Sequence, residues 1–266
     1  MAKAKVMNPT LKLLLNRKSV RAYEDCELSR EVKDAVITAA LRAPTAGNMM
    51  LYSIIEVQDQ SLKDALAETC DHQPFIAKAP FVLLFLADYQ RWTDYFQASG
   101  VEALCAEQGV TMRKPQEGDL FLACCDALIA AQTAVIAAES LGLGSCYIGD
   151  IMEHYEEHKA LFGLPQYTFP ISLVCFGYPT PQQREREQPG RFSKRVVVFE
   201  DRYTRFEPER LEVLFRERQE RVFGEREEVQ GARNLGQLMY TRKFNAEFTH
   251  EMTRSVKAML QAWLEE

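Results

Sequence analysis

The chain has 266 residues, 47% of them hydrophobic and 26% charged, an ordinary globular composition with enough length for one large core or two small ones. A formal net charge of −6 leaves no basic excess for nucleic acid and no general pull toward an anionic membrane. Seven scattered cysteines without a CxxC pair read as reduced, buried thiols, and no metal is expected. His154 and His158 have i,i+4 spacing but lie in the polar run HYEEHK, which reads as a solvated helix face.

Near the start, the apolar patch Leu11 to Leu15 is too short for a signal segment. Pro9 to Asn16 reads as a short helix with Asn8 as N-cap and Pro9 at the first helical position. Ser29 caps a helix to Ala43, with Val32, Val36, Ile37, Ala40 and Leu41 at a 3.6 period; Pro44 ends it. Tyr52 to Val57 is a predicted strand, Ser61 to Thr69 a helix, and Phe81 to Ala87 a strand buried on both faces. Residues 89–118 are mixed and polar and read as an inserted lid or excursion.

Asp119 to Leu141 is a long helix, apolar nearly all round. Asp126, Gln132, Thr133 and Glu139 interrupt it, which makes it a poor membrane span and a good central or interface helix. A cytoplasmic protein is expected. Cys146 to Ile148 is a short strand, Ile151 to Phe162 a helix, and Phe169 to Phe176 another core strand. Pro179 to Pro189 reads as an extended connection, and Arg195 to Glu200 as a possible strand. From Phe206 onward the chain is charged and helical, with breaks at Gly224 and Gly231. Helices flank strands throughout, so the class is α+β. Residues 1–200 are expected to form the core, and 201–266 a charged helical excursion wrapping it or a partner.

The acid–base, nucleophile, P-loop and GxGxxG signatures do not occur, so an enzyme built from this chain needs chemistry supplied by a cofactor. Arg17, Ser19 and Arg21 alternate along an extended segment and therefore share one side; two guanidiniums and a hydroxyl there suit a phosphate. Pro44 to Asn48 allows close backbone approach to a planar ligand, as do the glycines of LGLGSCYIG at 141–149. Arg191, in Pro189-Gly190-Arg191-Phe192, is a further candidate cation. Taken alone, each of these also fits a solvated loop or tight packing.

Five segments occur in order: RKSVRAY from 17, LRAPTAGNMMLYSIIEV from 41, HQPFIAKAPFVLLFLAD from 72, DALIAAQTAVIAAESLGLGSCYIGD from 126 and PGRF from 189. Together they resemble the nitroreductase family of FMN-dependent oxidoreductases, in the branch of NADPH-using nitroreductases and flavin reductases with a C-terminal excursion. The resemblance covers residues 9–200 and, loosely, the tail. It implies a mixed sheet wrapped by helices in an intertwined homodimer, with FMN sites at the interface and helix 119–141 packed on its partner.

By that resemblance Arg17, Ser19 and Arg21 lie along the FMN phosphate, ribityl chain and pyrimidine edge. Thr45, Ala46 and Asn48 come from the other subunit, and Gln73 reaches the ring. Tyr147, Ile148 and Gly149 line the isoalloxazine, with a backbone N–H of Gly149 or Asp150 offered to N5. Arg191 completes the phosphate grip, and Arg21 and Gln73 are nominated to stabilise charge near N1 and O2. Pro189 stands where the branch often has lysine, for which Lys194 or Lys18 could substitute. Arg242 matches one arginine for the nicotinamide phosphate, and the second, near Ala246-Glu247, is absent; NADPH or NADH is the implied reductant. The implied activity is ping-pong hydride transfer to small acceptors such as nitroaromatics or quinones. A flavin reductase, a specialised reductase of dehalogenase or enoate type, and a non-enzymatic flavin-binding protein are the alternatives.

Overall fold

The eight residues Phe81–Asp88 are buried from end to end, and the fold is arranged to cover both sides of that run. The computed structural model describes residues 7–265. In chain order the elements are α1 (Pro9–Asn16), α2 (Arg30–Ala40), β1 (Tyr52–Glu56), α3 (Gln60–Thr69), β2 (Phe81–Asp88), α4 (Gln90–Ala98), α5 (Val101–Glu107), α6 (Glu117–Ser140), β3 (Gly144–Ile148), α7 (Tyr155–Phe162), β4 (Thr168–Gly177), α8 (Pro181–Glu185), α9 (Lys194–Val197), α10 (Pro208–Phe223), α11 (Leu235–Met239) and α12 (Glu247–Leu264). One compact unit runs to Gln188 and takes up the chain again from Glu251; the other is Pro189–His250. The division thus falls before residue 200, and most of α12 belongs with the first unit.

In the first unit four strands form a sheet of order β1-β2-β4-β3, every ladder antiparallel. The parallel component is an isolated bridge between Ser19 and Ser145. Alternation along β2 sends Phe81, Leu83 and Phe85 to the face covered by α2 and α6, and Val82, Leu84 and Leu86 to the face covered by α3 and Ile151. The β2–β4 register slips between Phe85 and Leu86, whose partners are Ser172 and Pro170. A proline has no ladder donor, so it is tolerated where the pairing is already interrupted.

Helix α6 buries a row of alanines, among them Ala123, Ala127, Ala130, Ala134 and Ala138, and these small side chains let α2 and the sheet approach closely. Its mean hydropathy of 2.0 over an 18-residue window would suit a membrane span, but this face is core. The opposite face carries Phe121, Leu122, Leu128 and Ile129, between 69% and 40% exposed. Such a stripe marks a surface that associates with something.

The caps form as read: Asn8 accepts from the Leu11 amide at 2.9 Å and Ser29 from the Val32 amide at 3.3 Å. Several expectations need correction. Residues 151–162 are not one helix. A 3-10 turn, Asp150–Met152, is followed by His154 at φ 48°, and α7 starts only at Tyr155. Here α12 acts as an external cap, since the amides of His154 and Tyr155 donate to Glu251 (3.1 Å) and Ser255 Oγ (2.9 Å). His158 is not solvated but fully buried, with Nδ1 2.9 Å from the Ile151 carbonyl and Nε2 2.8 Å from Thr69 Oγ1. Burial holds its pKa below the ordinary value, so it packs as a neutral ring. Cys26 and Cys125 are exposed, whereas Cys70, Cys146 and Cys175 are buried. Residues 89–118 hold two helices, α4 and α5, and the connection after Pro179 contains α8.

In the second unit Val196 and Val197 belong to the helical turn α9 rather than to a strand, and Val198 caps it with extended backbone. A β-rich segment needs an edge to pair with, and this unit holds no strand among its described residues. It does carry a small core of its own, Phe223, Ala232, Leu235 and Leu238.

Candidate functional site

After α1 the chain runs extended beside β3. The Val20 amide donates to the Ser145 carbonyl at 2.8 Å, and the Glu24 amide to the Tyr178 carbonyl at 2.8 Å. Gly144 permits this approach, because a Cβ there would lie 2.5 Å from Val20 Cγ2. Lying on the strand, the segment brings Arg17, Ser19 and Arg21 to one place. The guanidiniums of Arg21, Arg17 and Arg186 all act on the Cys146 thiol, opposing the upward push that burial gives its pKa. One terminal nitrogen of Arg17 is buried with no hydrogen-bond partner among the described residues. Glu139, whose carboxyl is pushed up by burial and drawn back down first by Arg17, faces it from α6 and accepts from Ser145 Oγ at 3.3 Å.

Lys18 departs from its expected role. Its ammonium donates to the carbonyl of Arg184 at 2.6 Å and to that of Arg186, so it fastens a strap instead of facing the cluster. Gln188 adds bonds to the carbonyls of Leu15 (2.7 Å) and Arg17 (3.0 Å), and Arg184 pairs with Glu24.

The loop Thr45–Met50 has a separate scaffold. Gly47, Asn48 and Met50 have φ of 55°, 57° and 51°, a conformation that L side chains rarely hold without external restraint. Asp126, 3% exposed in α6, supplies that restraint. Its carboxylate accepts from Thr45 Oγ1, from the Ala46 amide at 3.1 Å and from the Leu51 amide at 3.2 Å. On the far side Arg91 donates to the carbonyls of Met50 and Tyr52, both at 2.8 Å, and Trp92 Nε1 to that of Met49 at 2.8 Å. Thr45 and Ala46 thus face inward, while Asn48 is exposed. Among the described residues no hydrogen bond or ion pair joins this loop to the Arg17 cluster.

Ile148 is buried and Tyr147 half-buried, its hydroxyl donating to Gln132 Oε1 at 3.3 Å. Gly149 follows directly after the last β3–β4 pair, and the space a Cβ would fill there is open. Gln73 Nε2 donates to the Cys70 carbonyl at 2.8 Å and to Asp150 Oδ2 at 2.9 Å. With both amide hydrogens engaged, Gln73 has an acceptor oxygen left and no donor. Its expected role of stabilising negative charge is therefore corrected.

Beside Asp150, Glu153 is 3% exposed and one of its carboxylate oxygens has no partner among the described residues. Burial first, then Asp150, Asp71 and Glu251, push its pKa from 4.5 to about 8. The folded chain keeps this proton where the unfolded chain releases it, so stability falls as pH rises from about 4.5 to about 8. Glu153→Gln removes that contribution. Its melting temperature should drop less than the wild type's between about pH 5 and about pH 8, by several degrees. Superimposable profiles would show that Glu153 ionises freely in the fold.

Open clefts lie elsewhere on the first unit. One of about 600 Å³ is lined by Gln90, Thr93, Gln97, Arg113, Lys114 and Tyr167, and a neighbouring one of about 280 Å³ includes Tyr89, Phe96 and Cys105. Arg191 and Arg242 belong to the second unit, both exposed; Arg191 lines a cleft there with Phe192, Arg218 and Arg221.

The sequence profile described as the nitroreductase family matches residues 14–178, the stretch that carries the Arg17 segment, the 45–50 loop, Gln73 and β3. The chain belongs to the nitroreductase family. It is 33% identical over 180 residues to the FMN reductase [NAD(P)H] of Bacillus subtilis (strain 168), covering 68% of this chain and 70% of that protein. It is 29% identical over 197 residues to the oxygen-insensitive NADPH nitroreductase of Salmonella typhimurium, covering 74% and 75%. Among solved structures, B. megaterium NfrA2 superposes with a TM-score of 0.78 at 27% identity, over 97% of this chain and 98% of that one.

In this nitroreductase-family chain the residues that sequence reading missed are the supporting ones: Asp126, Arg91, Trp92 and Arg186. For Asp126 a signal was available. A lone acid inside an apolar helix must find partners if the helix is buried. Arg186 carried none, since nothing local in GlnGlnArgGluArg at 182–186 shows that a lysine 168 residues earlier draws its backbone in.

Proposed function

We propose that the chain is an FMN-dependent NAD(P)H oxidoreductase that passes hydride to small oxidised acceptors such as nitroaromatics or quinones, acting as a cytoplasmic homodimer. The observation that carries this reading is the buried, unpartnered nitrogen of Arg17 among converging guanidiniums. An anion supplies the missing acceptor, and forked charge-assisted donors suit a phosphate monoester. When bound, FMN takes hydride from the nicotinamide and gives it up to the acceptor, both partners using the same face in turn.

In this reading Arg17, Ser19 and Arg21 hold the phosphate and the polar flank of the cofactor, and Arg191 adds a cation. Tyr147, Ile148 and the open space at Gly149 give the ring a flat seat. Gln73 offers an acceptor to a ring N–H. Thr45, Ala46 and Asn48 come from a second copy, and Arg242 meets the nicotinamide phosphate. The exposed apolar face of α6 supports association. No side chain is required as acid or base; the residues orient and exclude water.

Purified protein should be yellow. Arg17→Ala should weaken FMN binding about 10- to 100-fold, because one charge-assisted contact contributes roughly 1.5–3 kcal/mol. Unchanged affinity would place the phosphate elsewhere. Free FMN belongs among the acceptors tested, beside a nitroaromatic and a quinone, because a 33% identical relative is named an FMN reductase.

A further inference from the structure

We propose that Arg186 is a further ligand of the cofactor's phosphate, delivered by a strap that follows the last strand of the sheet. This rests on the reading above that the Arg17 cluster holds FMN.

The strap follows α8, and its fastenings all run to the segment that carries Arg17, Ser19 and Arg21. Lys18 holds the carbonyls of Arg184 and Arg186; Gln188 holds those of Leu15 and Arg17; Arg184 pairs with Glu24; and Gln183 Oε1 accepts from the Arg21 amide at 3.5 Å. Two stretches more than 150 residues apart in the chain are thereby laid side by side. The guanidinium of Arg186 then donates to the Ser19 carbonyl. It is thereby held on the residue that lies between Arg17 and Arg21 in the chain, and all three guanidiniums draw the Cys146 pKa down against burial.

Like charges gathered on one short segment repel unless an anion lies among them. The acids nearby do not balance them: Glu24 is taken by Arg184, and the carboxyl of Glu139 is itself pushed toward its neutral form by burial. A guanidinium has five donors, and the Ser19 carbonyl engages one side of Arg186. The remaining donors are those a doubly charged terminal phosphate would accept from, whereas the uncharged ribityl chain and ring of the same cofactor give such a fork little to bind.

The test compares two flavins that differ only in that phosphate. Holoprotein is diluted and FMN release followed by recovery of its fluorescence; protein reloaded with riboflavin is treated identically. The variant is Arg186→Gln, which keeps a donor for the Ser19 carbonyl and removes the charge, with Arg186→Lys beside it. We expect Arg186→Gln to raise the Kd for FMN about tenfold and leave riboflavin within about twofold, and Arg186→Lys to recover part of the loss. Equal weakening of both flavins, or no change in either, would overturn the proposal and leave Arg186 as a strap residue. Failure of the underlying reading looks different: the wild type itself would bind FMN no better than riboflavin, and Arg17→Ala would not alter their ratio.

Discussion

Asp126→Ala is expected to be among the most destabilising single changes in the first unit and to release the flavin. The carboxylate is 3% exposed and receives hydrogen bonds from Thr45 Oγ1 and from the amides of Ala46 and Leu51. Removing it strands three donors in a site that water does not reach freely, each at roughly 1–3 kcal/mol and not fully additive. A total near 3–5 kcal/mol lowers the melting temperature of a domain this size by roughly 10 °C. The positive φ values of Asn48 and Met50 would also lose their restraint on one side. Asp126→Asn keeps one acceptor oxygen and should lose about half as much. A melting temperature for Asp126→Ala within about 2 °C of wild type would show that Arg91 and Trp92 hold the loop unaided.

The second large effect concerns the outer face of α6. Phe121, Cys125, Leu128 and Gln132 recur at i, i+4, i+7 and i+11 on the side opposite the alanines, with Leu122 and Ile129 beside them. Two negative charges there, Leu128→Glu with Ile129→Glu, would have to be desolvated in any interface formed by this face. Mass measurement in solution should then report a monomer. Because the proposed site draws Thr45, Ala46 and Asn48 from the second copy, FMN should be lost together with association. A variant that stays dimeric would place the interface elsewhere. A monomer that keeps FMN at wild-type affinity would show that one chain holds the whole site. Both positions are exposed, 43% for Leu128 and 40% for Ile129, so the isolated chain should keep its fold.

These two changes also mark how much of the site local reading can reach. Alternation in RKSVR puts Arg17, Ser19 and Arg21 on one side, because an extended backbone leaves no other choice. The same rule puts Lys18 on the other side, but the acceptors waiting there, the carbonyls of Arg184 and Arg186, are not legible in the sequence. Gln73 was implied by the family resemblance alone, and nothing local in the sequence shows that both its amide hydrogens meet Cys70 and Asp150.

By itself the sequence determined the elements whose cause is local: the Asn8 and Ser29 caps, the α6 helix, and the buried β2 strand. Five ordered motifs sufficed for the family. Tertiary structure alone decided where polar groups end when their partners are distant in the chain: His158 buried on Thr69, α7 started by side chains of α12, and Val196 and Val197 wound into a turn for want of a strand edge. The reason is physical. Periodicity and capping are set within a few residues, whereas the environment of a buried hydrogen bond or charge depends on which surfaces meet, and only the folded chain brings those together.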